Sequence, residues 1–413
     1  MNILFIHQNF PGQFKHLAPA LAAQPGNRVL ALVLGQSTAR QHLGGVEIHP
    51  YQAARSTSRE IHPWVADFET KTIRGEACFR AALALAAGGF TPDVIIAHPG
   101  WGETLFIKEV WPQARLGIYC EFYYHSRGTD VNFDPEFPDT DPGTPCRLRL
   151  KNTNNILHFD LADAAIAPTW WQASTFPQPF REKIEVIHDG INTQRLAPAD
   201  DVWLKLGDSL KLTRDDEVIT FANRNLEPVR GYHVFMRALP ELLQRRPRAR
   251  IFIVGGDGLS YGAKSPDGKS WKLKYLEELQ ARVPAADLQR VHFVGKLPYP
   301  DFIRLLQLST VHVYLTYPFV LSWSLLEAMS IGCAIVASDT QPLREAISHG
   351  ETGRLVDFFD GAGLVEEVIS LLDDPAERQR LGHNARTFAI EHYDLSAICL
   401  PRQLEWVRRL GAG

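Results

Sequence analysis

A short buried strand, a glycine-marked turn and an amphipathic helix follow one another at two places in this chain, and that alternation most constrains its fold. Residues 2–7 are an apolar run, followed by FPGQF, a helical pattern over residues 16–24 and a second apolar run at 29–34. A strand, a helix and another strand in this order imply parallel pairing, since parallel neighbours need a crossover. Further strands are predicted at residues 46–49, 94–98, 116–121, 164–168 and 184–188, with helices over 70–87 and 103–110. The plan restarts at residues 218–223 and continues through strands at 250–254, 291–294, 311–315, 334–337 and 354–356. No short internal repeat is visible. The Gly-, Asn- and Pro-punctuated stretch HDGINTQRLAPAD, residues 188–200, reads as the linker. A chain of 413 residues suits two domains. We expect them over residues 1–195 and 196–394, each α/β and doubly wound, with a last helix over about 395–410.

Composition narrows the function. A net charge of −4 gives no support for a nucleic-acid surface. No apolar run approaches the ~20 residues that span a bilayer. MNILFIHQNF reads as a strand interrupted by His7, not as a signal peptide with a basic first segment. The five cysteines lack CxxC spacing, so buried free thiols are expected rather than metal ligands. A cytoplasmic location follows from these readings. The polar run 126–145 is expected to be an irregular loop, and GGDGLSYGAKSPDGKSWK after residue 254 is too long for an ordinary turn. The basic run RRPRAR, residues 245–250, reads as a solvated helix end, with an anionic-lipid patch at the inner membrane face as the second reading.

Two segments concentrate chemistry. In FANRNLEPVRGYH a strand delivers Arg224 at its carboxyl end, and Arg230 follows just before a glycine and a helix. Two guanidinium groups beside a helix amino terminus suit a nucleotide diphosphate, against the plainer reading of two surface arginines. In YPFVLSWSLLEAM a helix opens near Ser322, and backbone N–H groups at Ser322, Trp323 and Ser324 suit a phosphate, or Ser322 simply caps the helix. Glu327 lies among apolar residues on that helix, and a carboxylate can accept from two vicinal hydroxyls. In the first half, Glu121 stands at a strand end between apolar residues, where an unpartnered carboxylate is unfavourable without a task. His125 and His98 are its neighbours in role. Clustered aromatics at Trp101, Phe122–Tyr124 and Trp170–Trp171 read as core more than as a sugar platform.

The pattern LLEAM…G…AS…E…G…LV over residues 317–357 resembles the retaining glycosyltransferases of family 4. The resemblance is dense from about residue 218 to 360 and holds in order over 1–200. It implies the GT-B fold: two Rossmann-like domains facing a central cleft, with the terminal helix returning to the first. It also implies transfer of a sugar from a nucleotide-diphosphate donor to a saccharide, lipid-linked or other hydroxyl acceptor, in glycan or glycoconjugate biosynthesis. No cofactor and no metal are implied beyond the donor itself. By resemblance Arg224 and Arg230 hold the diphosphate, with Arg230 in place of the family's lysine, and Glu327 holds the ribose. Gly12 matches the amino-terminal glycine loop, Gly256 the VGxG turn, and Lys296 with Leu297 present backbone groups to the base. The family's histidine at a first-domain strand end is matched by Glu121, His125 or His98. Phe319 stands where the family carries its first glutamate, and phenylalanine cannot accept a sugar hydroxyl. Glu345 matches the family's tail and reads as structural. Rival readings are a nucleotide-sugar epimerase, a non-catalytic sugar-nucleotide binder and, weakest, a dehydrogenase, which the missing GxGxxG disfavours.

Overall fold

The computed structural model describes residues 1–35, 41–206 and 210–413. They form two units, Met1–Gly190 with Leu395–Gly413, and Ile191–Asp394. In the first the chain runs through β1 (Asn2–Ile6), α1 (Leu17–Ala22), β2 (Arg28–Leu34), β3 (Gln41–Leu43), β4 (Val46–Tyr51), α2 (Ala66–Ala87) and β5 (Val94–Ala97). It continues through β6 (Arg115–Tyr119), α3 (Thr144–Leu161), β7 (Ala164–Ala167), α4 (Trp170–Thr175), α5 (Gln178–Arg181) and β8 (Ile184–Val186). These strands form one eight-stranded sheet in the order β3-β4-β2-β1-β5-β6-β7-β8. Only β3 runs antiparallel to its neighbour. Along β1 the side chains alternate between two cores. Leu4 and Ile6 join Ile95, Ala97, Leu116 and Ile118 on one face, while Ile3 and Phe5 join Val94, Ile96 and Tyr119 on the other. A parallel sheet covered on both faces needs this apolar strand interior.

The second unit holds β9 (Leu204–Leu206), β10 (Leu210–Leu212), β11 (Val218–Asn225), α6 (Tyr232–Arg245), β12 (Arg250–Gly256), α7 (Trp271–Gln280), α8 (Ala285–Leu288) and β13 (Val291–Gly295). Then come α9 (Tyr299–Leu308), β14 (Val311–Tyr314), α10 (Trp323–Ile331), β15 (Ile335–Ser338), α11 (Gln341–Arg344), β16 (Arg354–Val356), α12 (Gly361–Asp373) and α13 (Pro375–Tyr393). Its six-stranded sheet has the order β13-β12-β11-β14-β15-β16, all parallel. The last helix, α14 (Leu400–Ala412), belongs to the first unit. There Trp406, Val407 and Leu410 enter the core beside Ile3 and Phe5. Gly117 on β6 makes room for the indole, since a Cβ would lie 2.4 Å from Trp406.

Several elements differ from the sequence expectation. Residues 103–110 are not a helix; they are turns with one 3₁₀ stretch at Ile107–Glu109. The segment buries Glu103 and Thr104, and the Thr104 hydroxyl lies 2.8 Å from His158 Nε2. That tie and the left-handed Gly102 (φ 93°) hold the chain out of helical register. The 18-residue α3 was not anticipated. It buries Asn152, Asn154 and His158 along with Leu148, so its inner face carries little apolar signal. The unit boundary lies at Gly190/Ile191, ahead of residue 195. Ile191 N donates to Tyr393 O at 2.8 Å, which ties the start of the second unit to its last helix.

Glu103 is 1% exposed and makes no ion pair among the described residues. Burial pushes its carboxyl up to about 7, against a partial lowering by Arg74 and Lys71. The folded chain therefore keeps a proton that an ordinary glutamate in the unfolded chain releases near 4.5. Folding stability then falls as pH rises from that value to about 7 and is level above it, by roughly 3 kcal/mol in all. Glu103→Gln is expected to flatten this dependence and to be the more stable protein at pH 8. Urea unfolding of both proteins at pH 5 and pH 8 checks this; equal slopes for the two would contradict it.

Candidate active site

In a parallel sheet all loops after the strands gather at one edge, and ligands settle where the strand order reverses. In the second unit that reversal lies between β11 and β14. A register shift between Ala222 and Asn225 irregularises the end of β11, and Arg224 within it is exposed. Arg230 is buried, 5% exposed, and its Nη1 donates to Thr316 Oγ1 at 2.9 Å and to the Val320 carbonyl at 3.0 Å. The chain after β11 and the chain after β14 are thus held by one guanidinium. Tyr317 N adds a bond to the Val229 carbonyl at 2.9 Å. Gly231 has φ 66°, and a Cβ there would sit 2.2 Å from Leu315 Cβ, so this crossing requires glycine.

The rest of the edge is built from the neighbouring loops. Gly256 ends β12, and a Cβ on it would lie 2.5 Å from Lys296 Cε and 2.5 Å from Asn225 Oδ1. Lys296 is exposed and Leu297 packs against the core beneath β12. Ser322 caps α10, accepting from Ser324 N at 3.3 Å, and its hydroxyl lies 3.0 Å from that of Ser324. Trp323 packs against the adjoining core. Glu327 is 8% exposed on α10 and accepts from the Tyr299 hydroxyl at 2.7 Å. Burial and the Glu327 charge push that phenol up from its ordinary value. Phe319 is buried, with its ring 5.1 Å from Tyr261 in an edge contact, and Tyr261 also lies 5.3 Å from the Arg230 guanidinium. The position thus carries an aromatic contact whose tyrosine covers a cation.

Glu227 escaped the sequence reading. It is 1% exposed, and its carboxylate accepts from the backbone N–H of Ser260, from Tyr261 N at 3.2 Å and from Gly262 N at 3.4 Å. It thereby pins the long insertion after β12. Its place just ahead of PVRG, at a loop start, was the available signal.

The first unit carries a second cluster at its own reversal, between β1 and β5. His7 follows β1, His98 follows β5, and Glu121 comes soon after β6. His7 Nδ1 accepts from Asn9 N at 3.0 Å, which leaves the proton on Nε2 for Gln13 Oε1 at 2.8 Å. Gln13 Nε2 then donates toward Glu121 Oε1 at 3.5 Å. His98 Nδ1 accepts from Gly100 N at 3.2 Å, so its Nε2–H lies toward Glu121 Oε2 at 3.7 Å. Burial pushes both histidines below their ordinary value, that of His98 far below. The imidazole of His98 is stacked between Trp101, at 4.4 Å, and Tyr119, at 5.3 Å. Gly12 has φ 47°, and a Cβ would meet the His7 ring at 2.3 Å. His7 and Gln13 were not singled out from the sequence, although a histidine closing an apolar strand was visible there. His125 points elsewhere: its Nε2 lies 2.6 Å from the Thr175 carbonyl. The aromatics have structural duties too, Trp101 against His98 and Tyr124 under Lys151 Nζ at 3.6 Å. Glu345 is half-buried at the end of α11.

The basic run is occupied. Arg245 pairs with Glu241 and Glu366, Arg246 with Glu217 and Asp373, and Arg248 with Glu217. Among the described residues no helix is long and apolar enough to cross a membrane, and no group of three or more His, Cys, Asp or Glu is placed to hold a metal ion.

Two family descriptions match the chain in tandem: "Glycosyl transferase family 4 group" over residues 25–196 and "Glycosyl transferases group 1" over residues 208–388. The chain belongs to glycosyltransferase family 4. It is similar to a D-inositol 3-phosphate glycosyltransferase of Streptomyces avermitilis, 31% identical over 55% of this chain and 48% of the relative. The alignment thus spans about half the length of that protein. A protein of the same name from Corynebacterium efficiens is 27% identical over 91% of this chain and 87% of its own. Among solved structures, sucrose-phosphate synthase from Thermosynechococcus elongatus covers 100% of both chains at TM-score 0.71 and 20% identity. Anabaena HepE with UDP-glucose covers 99% of both chains at TM-score 0.65 and 16% identity. The fold is GT-B.

The role of Glu227 is open to test. Glu227→Ala leaves three backbone donors without their acceptor and is expected to free the insertion. Chymotrypsin should then cut at Tyr261 much faster than in the unaltered protein, and stability should fall by about 2 kcal/mol. An unchanged cleavage rate would contradict the anchoring role.

Proposed function

We propose that this chain transfers a glycosyl group from a nucleotide-diphosphate sugar to a hydroxyl acceptor with retention, in glycan or glycoconjugate assembly. One observation carries the reading. Arg224, Arg230 and Lys296 stand around the carboxyl edge of the second sheet, and none has a carboxylate partner among the described residues. A buried guanidinium without a counter-ion is costly, and a diphosphate supplies the missing charge in a geometry that guanidinium matches. In this reading the same groups stabilise the charge that grows on the departing diphosphate, so side chains do the work a bound cation does elsewhere. No cofactor beyond the donor is assigned.

Glu327, steadied by the Tyr299 hydroxyl, accepts from the ribose hydroxyls. The Ser322–Ser324 helix opening faces the distal phosphate, and the loops carrying Gly256, Lys296 and Leu297 serve the base. Phe319 gives the donor sugar an apolar neighbour in place of a hydroxyl acceptor. On the first unit Glu121, flanked by the neutral donors Gln13 and His98, orients the acceptor hydroxyl, and Gly12 lets the backbone approach the ligand. His125 is left a structural role, as its bond to Thr175 supports. The relatives named for D-inositol 3-phosphate support an acceptor presenting hydroxyl groups. Saccharide and lipid-linked acceptors share that chemistry. Peripheral membrane contact through residues 245–250 would require Arg245, Arg246 and Arg248 to exchange their carboxylate partners for lipid headgroups.

A thermal-shift series with UDP, GDP and their sugars tests the donor. One nucleotide should stabilise the protein by about 2.7 kcal/mol at 100 times its Kd. Arg230→Ala should remove that response and Glu345→Ala should keep it; equal responses would overturn the assignment, and no response to any nucleoside diphosphate would overturn the function. Once the donor is found, Glu121→Gln should lower kcat on the order of 10²–10³-fold with nucleotide affinity unchanged. An unaltered kcat would remove Glu121 from the reaction centre.

A further inference from the structure

The second unit contains a cavity of about 480 Å³ that the donor reading does not use. Residues 308–310 and 332–334 line it, ahead of β14 and β15. It therefore opens at the amino-terminal edge of the sheet, whereas Thr316, Ser322 and Arg230 stand at the carboxyl edge. The four residues of β14 separate the two edges by about 13 Å at the usual strand rise.

The lining is cationic. Arg214, Arg378 and Arg386 contribute to it, with His383 also in the lining, against one carboxylate among the described residues, Asp200. Arg386 is half-buried and has no carboxylate partner among those residues. Its guanidinium donates only to backbone carbonyls, to Leu196 at 3.0 Å, to Thr193 at 3.3 Å and to Ser330. Burial alone pushes its pKa down, with no neighbouring charge to offset it. Arg378 donates to the Leu372 carbonyl at 2.8 Å, with Asp373, Asp374 and Glu217 close enough to temper its charge. Arg214 is exposed, makes no hydrogen bond or ion pair among the described residues, and lies close enough to favour the Cys333 thiolate. Carbonyl dipoles orient a guanidinium but leave its net charge in place, and a concave low-dielectric wall concentrates that field. A volume of this size falls in the range of small-molecule sites.

We propose that this cavity binds a small oxyanion, a metabolite bearing phosphate or carboxylate groups, independently of the sugar donor. Arg214 and His383 make the outer contacts, and Arg386 supplies the fixed charge of the wall. Ile331, the last residue of α10, lines the cavity, and Glu327 lies about one turn earlier on that helix. An occupant therefore touches the same rigid element that carries the ribose-binding carboxylate.

The proposal does not rest on glycosyl transfer, and its test separates the two. Isothermal titration of the full chain with pyrophosphate and with citrate, each in saturating UDP, keeps the donor edge occupied. If UDP does not bind, Arg230→Ala replaces it as the means of silencing that edge. At least one anion should bind, and the preferred one distinguishes phosphate from carboxylate recognition. Arg214→Gln and His383→Gln change exposed side chains and should fold normally. Arg214→Gln should weaken the anion about tenfold while leaving UDP affinity within about twofold. Binding of neither anion, or equal binding to the unaltered protein and both variants, would overturn the proposal.

Discussion

Parallel strands must be joined by crossovers, and this one constraint places everything else in the molecule. Helices leave the sheet alternately on its two faces only if the strand order reverses once. At that reversal two neighbouring loops part and leave a crevice. In the first unit the reversal falls between β1 and β5, and in the second between β11 and β14. His7 and His98 flank the first; Arg230 and Thr316 flank the second. Residues some ninety positions apart in sequence meet because the topology gives them one shared edge.

The two edges solve opposite electrostatic problems. On the first unit the carboxylate of Glu121 faces two neutral donors, Gln13 and His98, since burial keeps His98 uncharged. On the second unit Arg224, Arg230 and Lys296 have no carboxylate partner among the described residues, and Glu227 is engaged by backbone N–H groups of the insertion. The insertion in turn lays Tyr261 over Arg230 and Phe319. Phe319 thus meets an aromatic partner carried by a loop whose anchor is Glu227.

Much of this was legible in the residues. Apolar runs bounded by glycine located the central strands, because a strand buried on both faces must be continuously apolar. Arg224, Arg230 and Glu327 could be singled out because charged groups beside apolar runs need a reason to be there. The misses have physical causes. The inner face of α3 is built from asparagine and histidine bonded to neighbouring backbone, so no hydrophobic period announced it. The turns at residues 103–110 look helical in isolation and are held otherwise by Thr104 and Gly102. His7, Gln13 and Glu227 act through partners distant in sequence or through loop backbone, and such pairings leave no local pattern.

The sequence by itself determined the α/β alternation and the two-unit organisation, because these depend on hydrophobic period and turn residues that act locally. Tertiary structure alone decided which charges keep a partner. Arg245 and Arg246 look as available as Arg230 in the sequence, yet Glu217, Glu241, Glu366 and Asp373 neutralise them. Arg230 is instead buried against a hydroxyl and a carbonyl, and its charge remains. Whether a guanidinium is a structural tie or a ligand site depends on which groups the folded chain brings within a few ångströms of it. Those groups come from segments up to 127 residues away.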